Sequence, residues 1–184
     1  GLITEQGNRM TGTDILLDSA VVNQDSATGV LNKKTVTDEA TAAINLANVA
    51  GCDHSMYLMV WDIDDFKQVN DTYGHYFGDE VIKHLATELN RAVANRGLVG
   101  RIGGDEFVVL IHDITDYGIE KVLKRIEKCR VKYNEENNVN LDFAKGVSLY
   151  TEGDTTFENL VARADAEMYR DKRLTKKGRR DDYE

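Results

Sequence analysis

Two short stretches of this chain carry acids where a fold could put them to chemical use. Gly103-Gly104-Asp105-Glu106 lies between two β-rich runs, Leu98 to Ile102 and Phe107 to Ile111. The glycine pair can supply the positive φ angles of a two-residue hairpin turn. Without side chains there, a ligand can approach the backbone, and Asp105 and Glu106 beside the gap can hold a metal ion. An ordinary solvated hairpin explains the same letters. The second stretch is Met56 to Ile63, an apolar run interrupted by one acid, Asp62. Such a run reads as a strand buried on both faces. A carboxylate at its end is costly unless it is paired or binds a metal; a capping role is the plain alternative. If these strands are neighbours, Asp62, Asp105 and Glu106 converge beside the glycine gap, a set of hard oxygen donors suited to a divalent cation.

The elements that must position these acids can be read in turn. Asn32 is a plausible cap for a helix carrying Val36, Ala40, Ala43, Ile44 and Ala47 at helical spacing, ended by Gly51. After Asp62 a short helix begins at Asp64-Asp65, with Phe66 and Val69 inward and Lys67 and Asn70 on one side. A glycine-punctuated loop, Tyr73 to Asp79, leads to a helix with Val81, Ile82, Leu85 and Leu89 on one face. Asp79 at its start is favoured by the helix dipole whatever else it does. Asp116 to Tyr133 reads as a helix with Ile119, Val122, Leu123, Ile126 and Tyr133 inward, and Glu135 to Asn138 as a polar turn. Leu141 to Tyr150 alternates like a strand, except that Lys145 falls on the apolar face, consistent with partial exposure at a sheet edge. Thr155-x-x-Glu158 forms a capping box before a helix carrying Phe157, Leu160, Val161, Ala164 and Met168. An antiparallel hairpin among helix-linked strands makes the class α+β.

Composition bounds the rest. The chain has 184 residues, 41% hydrophobic and 30% charged, which fits one domain with a real core and a soluble surface. No run of apolar residues is long enough to span a membrane, and no signal-peptide pattern opens the chain. Residues 1–24 read as a leader or linker from a larger protein, an expectation supported by Gly1 standing where Met would begin a chain. Residues 180–184 read as a tail. Cys52 and Cys129 show no disulfide or metal spacing, which fits a reducing compartment. The four histidines show no ligand spacing either. A formal net charge of -9 disfavours non-specific nucleic-acid binding. It also means that a polyphosphate ligand needs a divalent cation and a few placed lysines or arginines.

Gly103-Gly104-Asp105-Glu106-Phe107 resembles the motif of the GGDEF family, the diguanylate cyclases. Three further stretches are similar to that family. Asp25-Ser-Ala-Thr28-Gly29-Val-Leu-Asn32-Lys33 looks like its opening motif, departing at Ala27, Val30 and Lys33. Asp62-Ile-Asp-Asp-Phe-Lys67-Gln-Val-Asn70-Asp-x-x-Gly74-His75-x-x-Gly78-Asp79 matches its central run at every spacing. Ala164-Asp165-Ala166-Glu167-Met168-Tyr169-Arg170-Asp171-Lys172 is close to its last motif. The resemblance covers roughly residues 25–179. It implies a ferredoxin-like, nucleotidyl-cyclase-like core: a mainly antiparallel central sheet flanked by helices, with the GGDEF β-hairpin.

The activity implied is condensation of two GTP molecules into cyclic di-GMP, with release of two pyrophosphates, across a homodimer. The other implied reading is a non-catalytic GTP-binding regulatory module. By the same resemblance Asp62, the carbonyl of Ile63, Asp105 and Glu106 are metal ligands for Mg2+, with Mn2+ as a substitute, and Asp105 and Glu106 are catalytic. Lys67, Lys172 and either Lys176 or Arg179 meet the substrate's phosphates, Gly103 and Gly104 bind the substrate at the loop, and Asn70 and Asp79 read guanine. A carboxylate accepts from guanine N1–H and the 2-amino group, and adenine offers no such donor pair. Asp25 would pair with Arg101 structurally. Many family members carry Arg-x-x-Asp shortly before the glycines as a product-inhibition site. Here that window is Ala94-Asn95-Arg96-Gly97, so feedback by the product is expected to be weak or missing. Further expectations are a cytoplasmic location, an upstream sensory domain as partner, and no nucleic-acid or membrane contact by this segment.

Overall fold

In this computed structural model residues 22–51, 55–152 and 155–183 are described, with backbone only from 175 onward. Cys52, His54 and most of the leader segment lie outside them. The order of elements is α1 (Lys33–Ala50), β1 (Met56–Ile63), α2 (Phe66–Tyr73), α3 (His75–Val93), β2 (Gly97–Arg101), β3 (Phe107–His112), α4 (Asp116–Asn137), β4 (Phe143–Leu149) and α5 (Phe157–Tyr183). One sheet, ordered β2-β3-β1-β4, has every pair antiparallel. That is the βαββαβ arrangement of a ferredoxin-like core, in agreement with the α+β expectation.

β1 is central because its sequence allows nothing else: all eight of its residues are buried. Side chains alternate across the sheet, so Tyr57, Met59, Trp61 and Ile63 pack with residues of α3 and α4, while Met56, Leu58 and Val60 pack with residues of α1 and α5. Asp62 falls in the second register and therefore points toward α5. The α5 helix can lie close only because β4 has a glycine in its middle. A Cβ on Gly146 would stand 1.8 Å from the Ala164 carbonyl oxygen and 2.7 Å from the Met168 nitrogen.

The opening segment is stitched to the sheet's far edge. Leu31 N–H donates to the Val99 carbonyl and Arg101 N–H to the Leu31 carbonyl, and Gln24 bridges Leu31. Asn32 caps α1 as expected, its Oδ1 accepting from Thr35 N–H at 2.9 Å.

Four local expectations are corrected. The GGDEF turn is not a two-residue hairpin. The strands end at Arg101 and resume at Phe107, Ile102 and Gly103 both donate to the Glu106 carbonyl, and neither glycine takes a positive φ. Glu106 instead folds over Gly103, leaving about 3.1 Å for a Cβ there. The loop from Tyr73 to Asp79 is mostly helix: Gly74, at φ 91°, is the single break between α2 and α3. Asp79 thus sits in the second turn of α3, beyond the strongest part of the dipole. α4 runs through Asn137, where a polar turn was expected, and Asn138 ends it in the left-handed conformation. Finally, Thr156 rather than Thr155 caps α5, its Oγ1 accepting from Asn159 N–H.

Candidate functional site

Asp62 is the centre of the site. It is 7% exposed, and one strand away its neighbour β3 begins, because Trp61 pairs with Phe107. Continuing that register one step brings Asp62 level with Glu106. The hairpin's Asp105 turns back to β1, where its Oδ2 accepts from Ile63 N–H at 3.2 Å. From the other side Lys172 of α5 donates to Asp62 Oδ2 at 2.7 Å. Ala164, Met168 and Lys172 are spaced four residues apart on one stripe of α5, so the close approach at Gly146 aims Lys172 at Asp62. The other carboxylate oxygen, Oδ1, is buried without a hydrogen-bond partner.

Burial pushes the Asp62 carboxyl up from 3.8 to about 6; Lys172 opposes this, and the charges of Asp105 and Asp64 add to it. Lys172 moves up as well: its own desolvation works against the charge, and the bond to Asp62 with the neighbouring acids outweighs it. The carboxylate is the decisive partner, because Asp62 has lost nearly all its water whereas the Lys172 side chain keeps 30% of its exposure.

An orphaned, buried carboxylate oxygen on an otherwise neutralised acid is a place for a cation. Among the described residues no three His, Cys, Asp or Glu side chains form a ready-made cage. The oxygen donors at hand, Asp62, Asp105, Glu106 and the Ile63 carbonyl, fit a magnesium ion whose shell is completed by phosphate oxygens and water.

The second cluster lies on the two helices after β1. Asn70 and Phe66, one turn apart on α2, both close on Gly78 of α3. A Cβ at Gly78 would stand 1.8 Å from Asn70 Oδ1 and 3.4 Å from Phe66 Cζ. The glycine before Asp79 is thus the space that the Asn70 carboxamide occupies. Asp79 is exposed, as is Lys67 on α2. The Lys176 side chain lies outside the described residues.

Arg101 holds the glycine loop. Its Nε donates to the Gly103 carbonyl at 3.3 Å and the Gly104 carbonyl at 3.0 Å, and Nη2 donates to Gly104 at 2.6 Å. Nη1 reaches Asp25 Oδ2 at 3.2 Å, the pairing expected from sequence. Burial works against the Asp25 charge, but Thr28 and Arg101 together hold its carboxyl below the ordinary value. The loop clamp was not foreseen; the only signal for it is an arginine two residues before the glycines. Replacing Arg101 with Ala or Lys is expected to leave the domain folded with a loss of about 1–2 kcal/mol, since a lysine point charge cannot reproduce the fork. Proteolysis of the 102–106 segment should accelerate more than cleavage elsewhere, which limited digestion followed by mass spectrometry would show.

The window expected to lack the inhibition motif forms the turn between α3 and β2. Where that motif would place an acid stands Gly97, and a Cβ there would lie 1.9 Å from the Leu110 carbonyl oxygen. The backbone itself leaves no room for the side chain. No described helix is long and apolar enough to cross a membrane.

Comparison with known proteins gives the family and supports the fold. Diguanylate cyclase DosC of Escherichia coli K12 is 29% identical over 156 residues, covering 83% of this chain and 33% of DosC. Cyclic di-GMP phosphodiesterase PdeR of the same organism is also 29% identical, over 81% of this chain and 22% of PdeR. The chain thus spans about a third or less of the length of these curated relatives. The crystal structure of the coiled coil and GGDEF domain of DgcB from Caulobacter crescentus in complex with c-di-GMP superposes with a TM-score of 0.75 at 27% identity, covering 88% of this chain and 86% of that one. The family model described as "Diguanylate cyclase, GGDEF domain" matches residues 22–178, and with most of its length accounted for in this way, the chain belongs to the GGDEF domain family.

Proposed function

We propose that this domain is a diguanylate cyclase, condensing two GTP molecules into cyclic di-GMP and two pyrophosphates across a pair of such domains. The observation that carries the reading is Asp62: desolvated, held on one oxygen by Lys172, open on the other, and faced by the acids of the glycine loop. In each half-reaction the 3'-hydroxyl oxygen of one GTP bonds to the α-phosphorus of the other. The bond from that phosphorus to the β-phosphate oxygen breaks, pyrophosphate leaves and the hydroxyl proton is released. Magnesium, when bound, lowers the pKa of the attacking hydroxyl and offsets charge on the leaving group.

The chain's own residues divide the remaining work. Asp62, Asp105, Glu106 and the Ile63 carbonyl hold the cation, and the hairpin acids orient the hydroxyl. Lys67, Lys172 and Lys176 meet the phosphates. Asn70 and Asp79 select guanine through its N1–H and 2-amino donors. Gly104 and Glu106 are exposed, which leaves the loop open to a second domain carrying the second GTP. We place the reaction in the cytoplasm, where its nucleotide is, under an upstream sensory partner.

A relative named as a phosphodiesterase supports a second reading, a GTP-binding regulatory module without turnover. Incubation with GTP and magnesium over a range of protein concentrations, with nucleotides resolved chromatographically, separates the two. Cyclic di-GMP forming more than linearly with protein, and undiminished by added product, is the expected result. Saturable GTP binding with no product at any concentration would establish the second reading.

A further inference from the structure

Lys145 is the residue that the site as described leaves unused. It lies on the edge strand β4 opposite Trp61, half-buried on a face otherwise filled by apolar side chains. Its aliphatic stem can follow that surface while the ammonium group reaches past the sheet edge. There a pocket of about 230 Å3 opens, lined among others by Asp64, Glu127, Asp142, Lys145, Asp171 and Lys172. Lys172 is the same lysine that bonds Asp62, so the pocket adjoins the candidate phosphate end of the site.

Two readings compete for Lys145. One makes it a counter-charge to Glu127, which does feel it. Glu127, however, is already forked by Arg130 through both Nε and Nη2. Arg130 also reaches Asp142 at 3.3 Å. The other lining lysine, Lys172, bonds Asp62 at 2.7 Å. Among the described residues Lys145 closes no ion pair. It is a half-buried cation lining an acid-rich pocket, where the acceptor oxygens of a ligand could take charge-assisted hydrogen bonds from its ammonium group.

We propose that Lys145 is a phosphate-binding residue of this pocket, contacting the polyphosphate of the nucleotide alongside Lys172 and conferring a preference for the triphosphate over shorter phosphate chains. This rests on the proposed GTP site for the identity of the nucleoside, but not for the phosphate contact. A chain with -9 formal charge needs such a cation to admit a ligand of like sign.

Calorimetric titration with three probes, inorganic tripolyphosphate, GTP and GMP, each with magnesium, tests it on the wild type, Lys145→Met and Lys145→Arg. One charge-assisted hydrogen bond corresponds to about a tenfold change in affinity. Lys145→Met is expected to weaken tripolyphosphate and GTP about tenfold and GMP less than twofold, and Lys145→Arg to keep most of both. Unchanged tripolyphosphate binding by Lys145→Met overturns the proposal. So does equal weakening of all three probes, which would report damage to the fold. Unchanged triphosphate affinity with new self-association in light scattering also overturns it, in favour of an edge lysine that only discourages strand addition. If the wild type binds ATP as well as GTP, the guanine reading fails while the Lys145 contact stands or falls on tripolyphosphate alone.

Discussion

Replacing Gly146 with alanine is expected to lower the proposed cyclic di-GMP synthesis by roughly 100-fold without altering any residue that meets the substrate. The added carbon would stand 1.8 Å from the Ala164 carbonyl oxygen and 2.7 Å from the Met168 nitrogen. Both are backbone atoms, so no side chain can swing aside. Restoring ordinary contact requires α5 to move off the sheet by about 1.5 Å. Overpacking of this kind costs about 1–3 kcal/mol, sometimes more. The same movement carries Lys172, two turns further along the stripe, away from the carboxylate it holds at 2.7 Å. Misplacement by about 1 Å is worth roughly 100-fold in rate. Thermal unfolding by circular dichroism and GTP turnover well below the melting temperature would together check this. A variant that melts lower yet turns over normally would show that the Lys172 contact tolerates a shifted helix. A variant unchanged in both would show that α5 is not fixed by this contact.

Gly146 also shows how much was legible beforehand. The order of all nine described elements was readable from the apolar periods, whereas the mainly antiparallel central sheet was expected from the resemblance to the GGDEF family. Asp62 was readable as suspicious, since one acid ends a strand with no polar face. What closes on Asp62 was not. Lys172 lies 110 positions away, and the step linking them, a glycine beneath a helix backbone, leaves no periodic signal. Gly78 was readable only as a turn former. Its structural reason is the Asn70 amide above it, a tertiary fact. The loop at Gly103-Gly104 misled for the opposite reason. Glycine pairs favour tight turns locally, but here Arg101 gathers the loop carbonyls from the side, and a longer turn without positive φ is held instead.

Asp62→Asn should move activity and stability in opposite directions. The folded protein binds the Asp62 proton more tightly than the unfolded chain does, with a pKa of about 6 against 3.8. Between those values the native state carries more protons, so wild-type stability falls as pH rises through that window and stays reduced above it. At 1.36 kcal/mol per unit this is at most about 3 kcal/mol at neutral pH, and solvent relaxation brings it nearer 1–2. Asparagine escapes that cost, so in the absence of nucleotide and metal the variant should melt about 2–6 °C higher at pH 7.5. The advantage should vanish near pH 4, where both side chains are neutral. Lys172, freed from Asp62, retains partial exposure and so is not stranded in a dry interior. Magnesium and GTP should raise the wild-type melting temperature and do little for the variant, whose turnover should drop at least about 100-fold with the loss of the anionic ligand. Melting curves across pH 4–8 would decide the sign. If the Asp62→Asn variant is the less stable protein at pH 7.5, the Lys172 bond outweighs the desolvation of Asp62, and the site is held together by its charges rather than in spite of them.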